Sequence, residues 1–143
     1  MKTQRFILIL LALTFVFAPQ SLTNATERKK DYRARLISPK PGEVLVAGQA
    51  FRVEWKTDFP DVGVDLVFCE ADVRLSIDGG ITFMRITGEL DPRLQYFDWT
   101  VPNLPTRTAV LDIRFGCLGW YPETSCAQVQ YPFVITGPKQ SWD

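Results

Sequence analysis

The chain has 143 residues, with 16 basic and 16 acidic side chains for a formal charge of zero, no histidine and three cysteines. That balance leaves no electrostatic footprint for nucleic acid. The missing histidine removes the commonest general base, the Ser-His and Cys-His nucleophile pairs and the usual zinc sites.

Residues 1–25 have the layout of an export signal: Lys2 and Arg5, then the apolar run "FILILLALTFVFA", then the small residues of "TNA". The competing reading is an uncleaved anchor, but the apolar run is shorter than the roughly 20 residues that span a bilayer, and Pro19 interrupts the chain just beyond it. No cysteine near the cleavage end supports a lipoprotein anchor. Cleavage leaves no membrane span and a chain with two more acids than bases, because Lys2 and Arg5 depart and no acid does. Residues 26–34 come next as a basic leader, part of "RKKDYRAR", read as a solvated approach to the first strand, with attraction to an anionic surface as the alternative.

From residue 35 to 138 the dominant period is two. Seven strands are expected, at about Arg35 to Ile37, Gln49 to Thr57, Val67 to Ile77, Ile81 to Thr87, Gln95 to Val101, Thr108 to Cys117 and Val129 to Thr136. Their inward faces carry Phe51, Val53 and Trp55; Phe97, Trp99 and Val101; Ala109, Leu111, Ile113, Phe115 and Cys117; and Val129, Tyr131, Phe133 and Ile135. Turn-forming clusters such as "SPKPGE", "DFPDVG", "DGG" and "VPNLP" separate them. Short strands with such punctuation predict one all-β, two-sheet sandwich, with a short tail after it, 139–143. Trp55 and Trp99 are expected in its core.

The order "ISPKPGEVLVAGQAFRVEW", "VRLSIDGGITFMRI", "FDWTVPNLPT" and "FVITGP" resembles the Ig-like or fibronectin type III-like domains carried by many secreted bacterial proteins. The resemblance implies a seven-stranded antiparallel β-sandwich that serves as spacer, stalk or adhesion module, with no shared catalytic residue to carry over. "SIDGGITF" also resembles the Asp-box of sialidase-like propellers. A propeller needs about four or more blades, hence repeated copies, and this chain has one. Asp78 is therefore read as a turn residue that accepts backbone N–H groups while Gly79 and Gly80 take positive φ. A calcium role would need several more oxygen ligands at fixed spacing. Glu89 and Asp91 could in principle act as paired carboxylates on a glycoside, but neighbours on a turn do not define a cleft. No enzyme activity, metal or cofactor is expected.

The expected function is a non-catalytic interaction or structural module, periplasmic or extracellular, whose partner is another envelope or extracellular protein. Its candidate contact loop, "LGWYPET", offers Trp120, Tyr121 and Glu123, although both rings could instead fold down over the end of the sandwich. The alternative is a small carbohydrate-binding module, using the same rings as a polysaccharide platform with Arg107 or Glu123 bonding hydroxyls. A third possibility is an envelope filler with no partner.

Three cysteines in an oxidising compartment imply one bridge and one remaining thiol. In the sandwich order, Cys69 near the start of the third strand and Cys117 at the end of the sixth lie at the same end of antiparallel neighbours, both in phase with core residues. Cys126 is out of phase with Val129, Tyr131 and Phe133. The expected bridge is Cys69 to Cys117; the alternative, Cys117 to Cys126, would clip only the Trp120 loop.

Overall fold

The computed structural model describes residues 31–126 and 130–138. The expected export signal, most of the leader before Tyr32, Val129 and the 139–143 tail lie outside the described residues. Nine strands occur among those described: β1 Arg33–Ser38, β2 Val44–Val46, β3 Ala50–Asp58, β4 Cys69–Ser76, β5 Met84–Arg85, β6 Tyr96–Thr100, β7 Thr106–Cys117, β8 Tyr121–Thr124 and β9 Phe133–Thr136. One turn of 3-10 helix, Leu66–Phe68, precedes β4. Among the described residues the chain is all-β, with nine strands where seven were expected.

The strands form a three-stranded sheet in the order β1-β3-β6 and a six-stranded sheet in the order β2-β9-β7-β4-β5, with β8 on the β9 side of β7. The expectation of a purely antiparallel fold is corrected at one place, because β2 runs parallel to β9. Three residues inside a turn-rich stretch give no alternation to read, and the partner of β2 lies about ninety residues further along the chain. The second missed strand, β8, comes from the loop expected at 118–124; it pairs with the last residues of β7.

Alternation places the core where the sequence predicts it. Val53 and Trp55, Trp99 and Val101, and Ala109, Leu111, Ile113, Phe115 and Cys117 are buried in one cluster with Val73, Leu75, Phe133 and Ile135. A pleated strand sends successive side chains to opposite faces, so a correct phase at one residue fixes the rest. The cluster also reaches Tyr32 and Ala34, which the expected leader contains. Tyr32 stacks on Phe115 with ring centroids 5.1 Å apart, so the folded unit begins earlier than Arg35.

Three expected strand ends retreat for identifiable reasons. Tyr131 does not face the core but is 66% exposed; Pro132 comes next, has no N–H to donate, and β9 starts only at Phe133. Val67 belongs to the 3-10 turn, whose N-cap Asp65 accepts the Val67 N–H, so β4 starts two residues later than expected. The strand expected over Ile81 to Thr87 shortens to Met84–Arg85 because residues 77–82 are committed to a turn.

Strands β4 and β7 pair in continuous antiparallel register from Cys69↔Cys117 to Ser76↔Val110. The first of these pairs is the disulfide, which closes a loop of 48 residues. Cys126 stands outside the bridge: its sulfur accepts from Gln130 and lies against the Asp112 carboxylate, and burial raises its thiol pKa. In the chain-entropy account, a crosslink of this span stabilises by about 4 kcal/mol. Replacing Cys69 and Cys117 together by alanine is expected to lower unfolding free energy by roughly 3–4 kcal/mol in denaturant titration. Non-reducing peptide mapping of the wild type should recover the Cys69 to Cys117 peptide as the main crosslinked species.

Candidate functional site

Two places in the sequence invite a functional reading, the Asp78 turn and the turn around Trp120, and the fold treats them differently. The first is closed on itself. One Asp78 oxygen, Oδ1, accepts from the N–H groups of Ile81 and Thr82 at 3.1 and 2.9 Å, and the other accepts from the Thr82 hydroxyl at 2.6 Å. Ser76 Oγ donates to Asp78 at 2.7 Å and accepts from the Gly80 N–H at 2.8 Å. Gly79 and Gly80 take φ of 78° and 92°, where side chains with a Cβ are strained. Every one of these groups serves the chain reversal between β4 and β5. The Asp78 carboxyl is held well below the usual carboxylate range, first by the Thr82 hydroxyl and then by the Thr82 N–H.

The second place is built by the disulfide. Cys69 comes directly after the 3-10 turn and Cys117 precedes the β7–β8 turn, so the bridge fixes two turns side by side. Both turns carry large apolar side chains into solvent: Val67 is 62% and Phe68 68% exposed in one, and Leu118 is 93% and Trp120 62% exposed in the other. Val67, Phe68 and Leu118 line an open groove of about 580 Å³ with Leu66, Leu90 and Pro92. Its polar lining is Glu70, Glu89, Asp91 and Arg93. Leu90 is bridged to Ala71 at the edge of β4, which puts Glu70 and Glu89, each next to a bridged residue, near each other on one face.

The predicted contact loop therefore divides. Trp120 points to solvent, whereas Tyr121 packs its ring on Phe115 at 5.7 Å between centroids, extending the stack formed with Tyr32 and Phe59. Glu123 is occupied by ion pairs with Arg74 and Arg114 and ties β8 to the outer face of the sheet. Its backbone also presses on Gly116, where a Cβ would meet Glu123 Cα at 3.0 Å. Arg107 and Glu123 do not come together, because they sit against opposite ends of β7, roughly 30 Å of extended chain apart. Glu89 and Asp91 are not an isolated pair either: Asp91 takes both Nε and Nη2 of Arg93, and Glu89 lies near enough to Glu70 to help raise its carboxyl, after burial.

Sequence reasoning did not single out Val67, Phe68, Glu70 or Leu118, although the first three lie in the long stretch "FPDVGVDLVFCEAD" and Leu118 in the contact loop, and it weighed Glu89 only beside Asp91. One signal was present: Phe68 is out of phase with Cys69, Val73 and Leu75, and Leu118 sits beside Gly119 in a turn, so neither has a place in the core pattern. Among the described residues, no three His, Cys, Asp or Glu side chains are grouped to hold a metal ion. Comparison with known proteins finds no matching family model, no similar curated protein and no similar solved structure.

The two rings of the contact loop should separate in stability measurements. Tyr121→Ala is expected to cost about 1–3 kcal/mol through the lost ring packing, while Trp120→Ala stays within about 0.5 kcal/mol, both read from urea midpoints. For Asp78, a depressed folded pKa means that the stabilisation is fully present above the unfolded value of about 4 and is lost as pH falls below it. Asp78→Ala should accordingly melt lower than wild type at neutral pH, and the gap should close as melting curves are taken progressively below about pH 4.

Proposed function

We propose that this protein is a non-catalytic, exported module with an Ig-like or fibronectin type III-like sandwich fold, and that it binds another envelope or extracellular protein through its disulfide end. The observation that carries this reading is the exposure of Val67, Phe68 and Leu118 around one groove. Single exposed apolar residues are ordinary on a protein surface, but several grouped on two rigidly linked turns are a common mark of a contact site. Rigidity matters because a surface already held in place loses little conformational freedom on binding.

The strand order supports the fold assignment: β1, β3 and β6 face β5, β4, β7 and β9, and Greek-key sandwiches divide their strands in a similar way. Relative to the seven-stranded plan, β2 and β8 are added. The Cys69–Cys117 bridge supports an oxidising destination. Lack of histidine and the self-contained bonding of Asp78 support a non-catalytic role. Protein is favoured over polysaccharide as partner because the Tyr121 ring is packed against Phe115, which leaves Trp120 without the second loop ring of a stacking platform.

Proximity labelling in the native envelope tests the reading with the wild type and with Phe68→Ser and Leu118→Ser. One protein should be enriched by the wild type and lost with both variants, while their melting temperatures stay close to that of the wild type. Equal labelling by all three would overturn the assignment of the contact to this end.

A further inference from the structure

The groove between the two turns is lined by the apolar side chains of Leu66, Val67, Phe68, Leu90 and Leu118, and its charges do not balance. Arg93 is committed to Asp91, with Nε at 2.9 Å from Oδ1 and Nη2 at 2.9 Å from Oδ2. Arg85, the other nearby cation, is 3.4 Å from the buried Asp72 and only partly offsets the effects of burial and Glu89 on Glu70. Among the described residues neither Glu70 nor Glu89 is in an ion pair. They lie near each other instead, and Glu89 adds to burial in raising the Glu70 carboxyl.

We propose that the groove receives an apolar segment of a partner protein that carries an arginine or lysine, with its cation seated between the Glu70 and Glu89 carboxylates. This deepens the contact reading given above and rests on it. The pair is pre-placed for a cation: Glu70 is fixed in β4 opposite Gly116, and Glu89 is held by the Ala71–Leu90 bridge. Without a cation the Glu70 carboxyl is raised, by burial first and by Glu89 second. An incoming guanidinium or ammonium group would offset the negative charge of the pair and gain two charge-assisted hydrogen bonds. The apolar lining then covers the aliphatic stem and its neighbours, the usual division of labour for long cationic side chains. A bare metal ion fits less well, since two carboxylates fall short of the roughly six to eight oxygens that a calcium ion takes.

The test is selection of short random peptides displayed on phage against the purified protein, with affinity measurement of the enriched peptides on variants. Enriched peptides should contain arginine or lysine flanked by leucine, phenylalanine or tryptophan. Glu70→Gln and Glu89→Gln should each weaken them about tenfold, the effect of losing one charge contact. Phe68→Ser and Leu118→Ser should weaken them at least about tenfold through the apolar contacts. Both glutamine variants should melt at or above the wild-type temperature, because they relieve repulsion and leave the core untouched. Peptides that lose affinity with Phe68→Ser and Leu118→Ser, yet lack a basic residue or ignore Glu70→Gln and Glu89→Gln, would overturn the charge assignment and leave the contact site standing. A selection with no enriched peptide, or with peptides indifferent to Phe68→Ser and Leu118→Ser, would overturn both.

Discussion

The pairing of β4 with β7 is the constraint on which the rest of the molecule depends. It runs without interruption from Cys69↔Cys117 to Ser76↔Val110, and its two faces have opposite chemistry. On one, Ala71, Val73 and Leu75 meet Leu111, Ile113 and Phe115 at the centre of the buried interior. On the other, Asp72 and Arg74 lie across from Arg114 and Asp112. A slip of one residue would send the aliphatic set to the outer face and the charges into the core, so register here is strongly specified. The disulfide at one end then locks a register that the side chains already select.

The charged face is more than a solvated surface. Asp72 and Asp112 are buried although they point away from the core, because β8, β5 and the segment around Cys126 cover them. Arg74 and Arg85 pair with Asp72, Arg114 pairs with Asp112, and Glu123 joins Arg74 and Arg114 across from β8. Three carboxylates thus face three guanidinium groups, so the set is neutral as a whole. Removing one member would strand a buried charge, which typically costs more than the intact network contributes. The network also explains why β8 lies flat on this edge: Glu123 reaches the arginines, and Gly116 beneath it has no Cβ to hold the strand away. Asp112 is used twice, since it also accepts the backbone N–H of Cys126 where β8 has ended and β9 has not begun.

The disulfide end inherits both faces. Its acids Glu70 and Glu89 continue the charged face past its ion pairs, with Arg85 acting on Glu70 without pairing with it, while Val67, Phe68 and Leu118 are apolar residues displaced from the strand pattern into turns. The Asp78 turn shows the opposite economy of bonding. There a serine, an aspartate and a threonine satisfy one another and the backbone, leaving no polar group directed at a ligand. The contrast between a turn whose bonds close internally and turns that hold apolar groups in solvent is what separates scaffold from candidate site.

Much of this was determined by the amino-acid sequence alone. Period-two alternation fixed the fold class, the core faces of β3, β6 and β7, and the inward phase of Cys69 and Cys117, because the pleat makes facing a local property. The reversal at Asp78 was largely local, since every hydrogen-bond partner of the Asp78 carboxylate lies within four residues, although the Gly79 N–H reaches the Thr108 carbonyl. What only the tertiary structure decided depended on distant partners. The strand β2 exists because β9 offers it a parallel edge, and Tyr121 folds down because Phe115 lies beneath it while Trp120 stays in solvent. Asp112 reads as an outward residue of an alternating strand and is buried because β8 and Cys126 arrive over it. Which arginine comes near Glu70 is likewise set by another strand, since Arg85 arrives from β5, where it also pairs with Asp72. Such pairings are set by strand order and by where each strand stops, and neither is encoded in the alternation of any single segment.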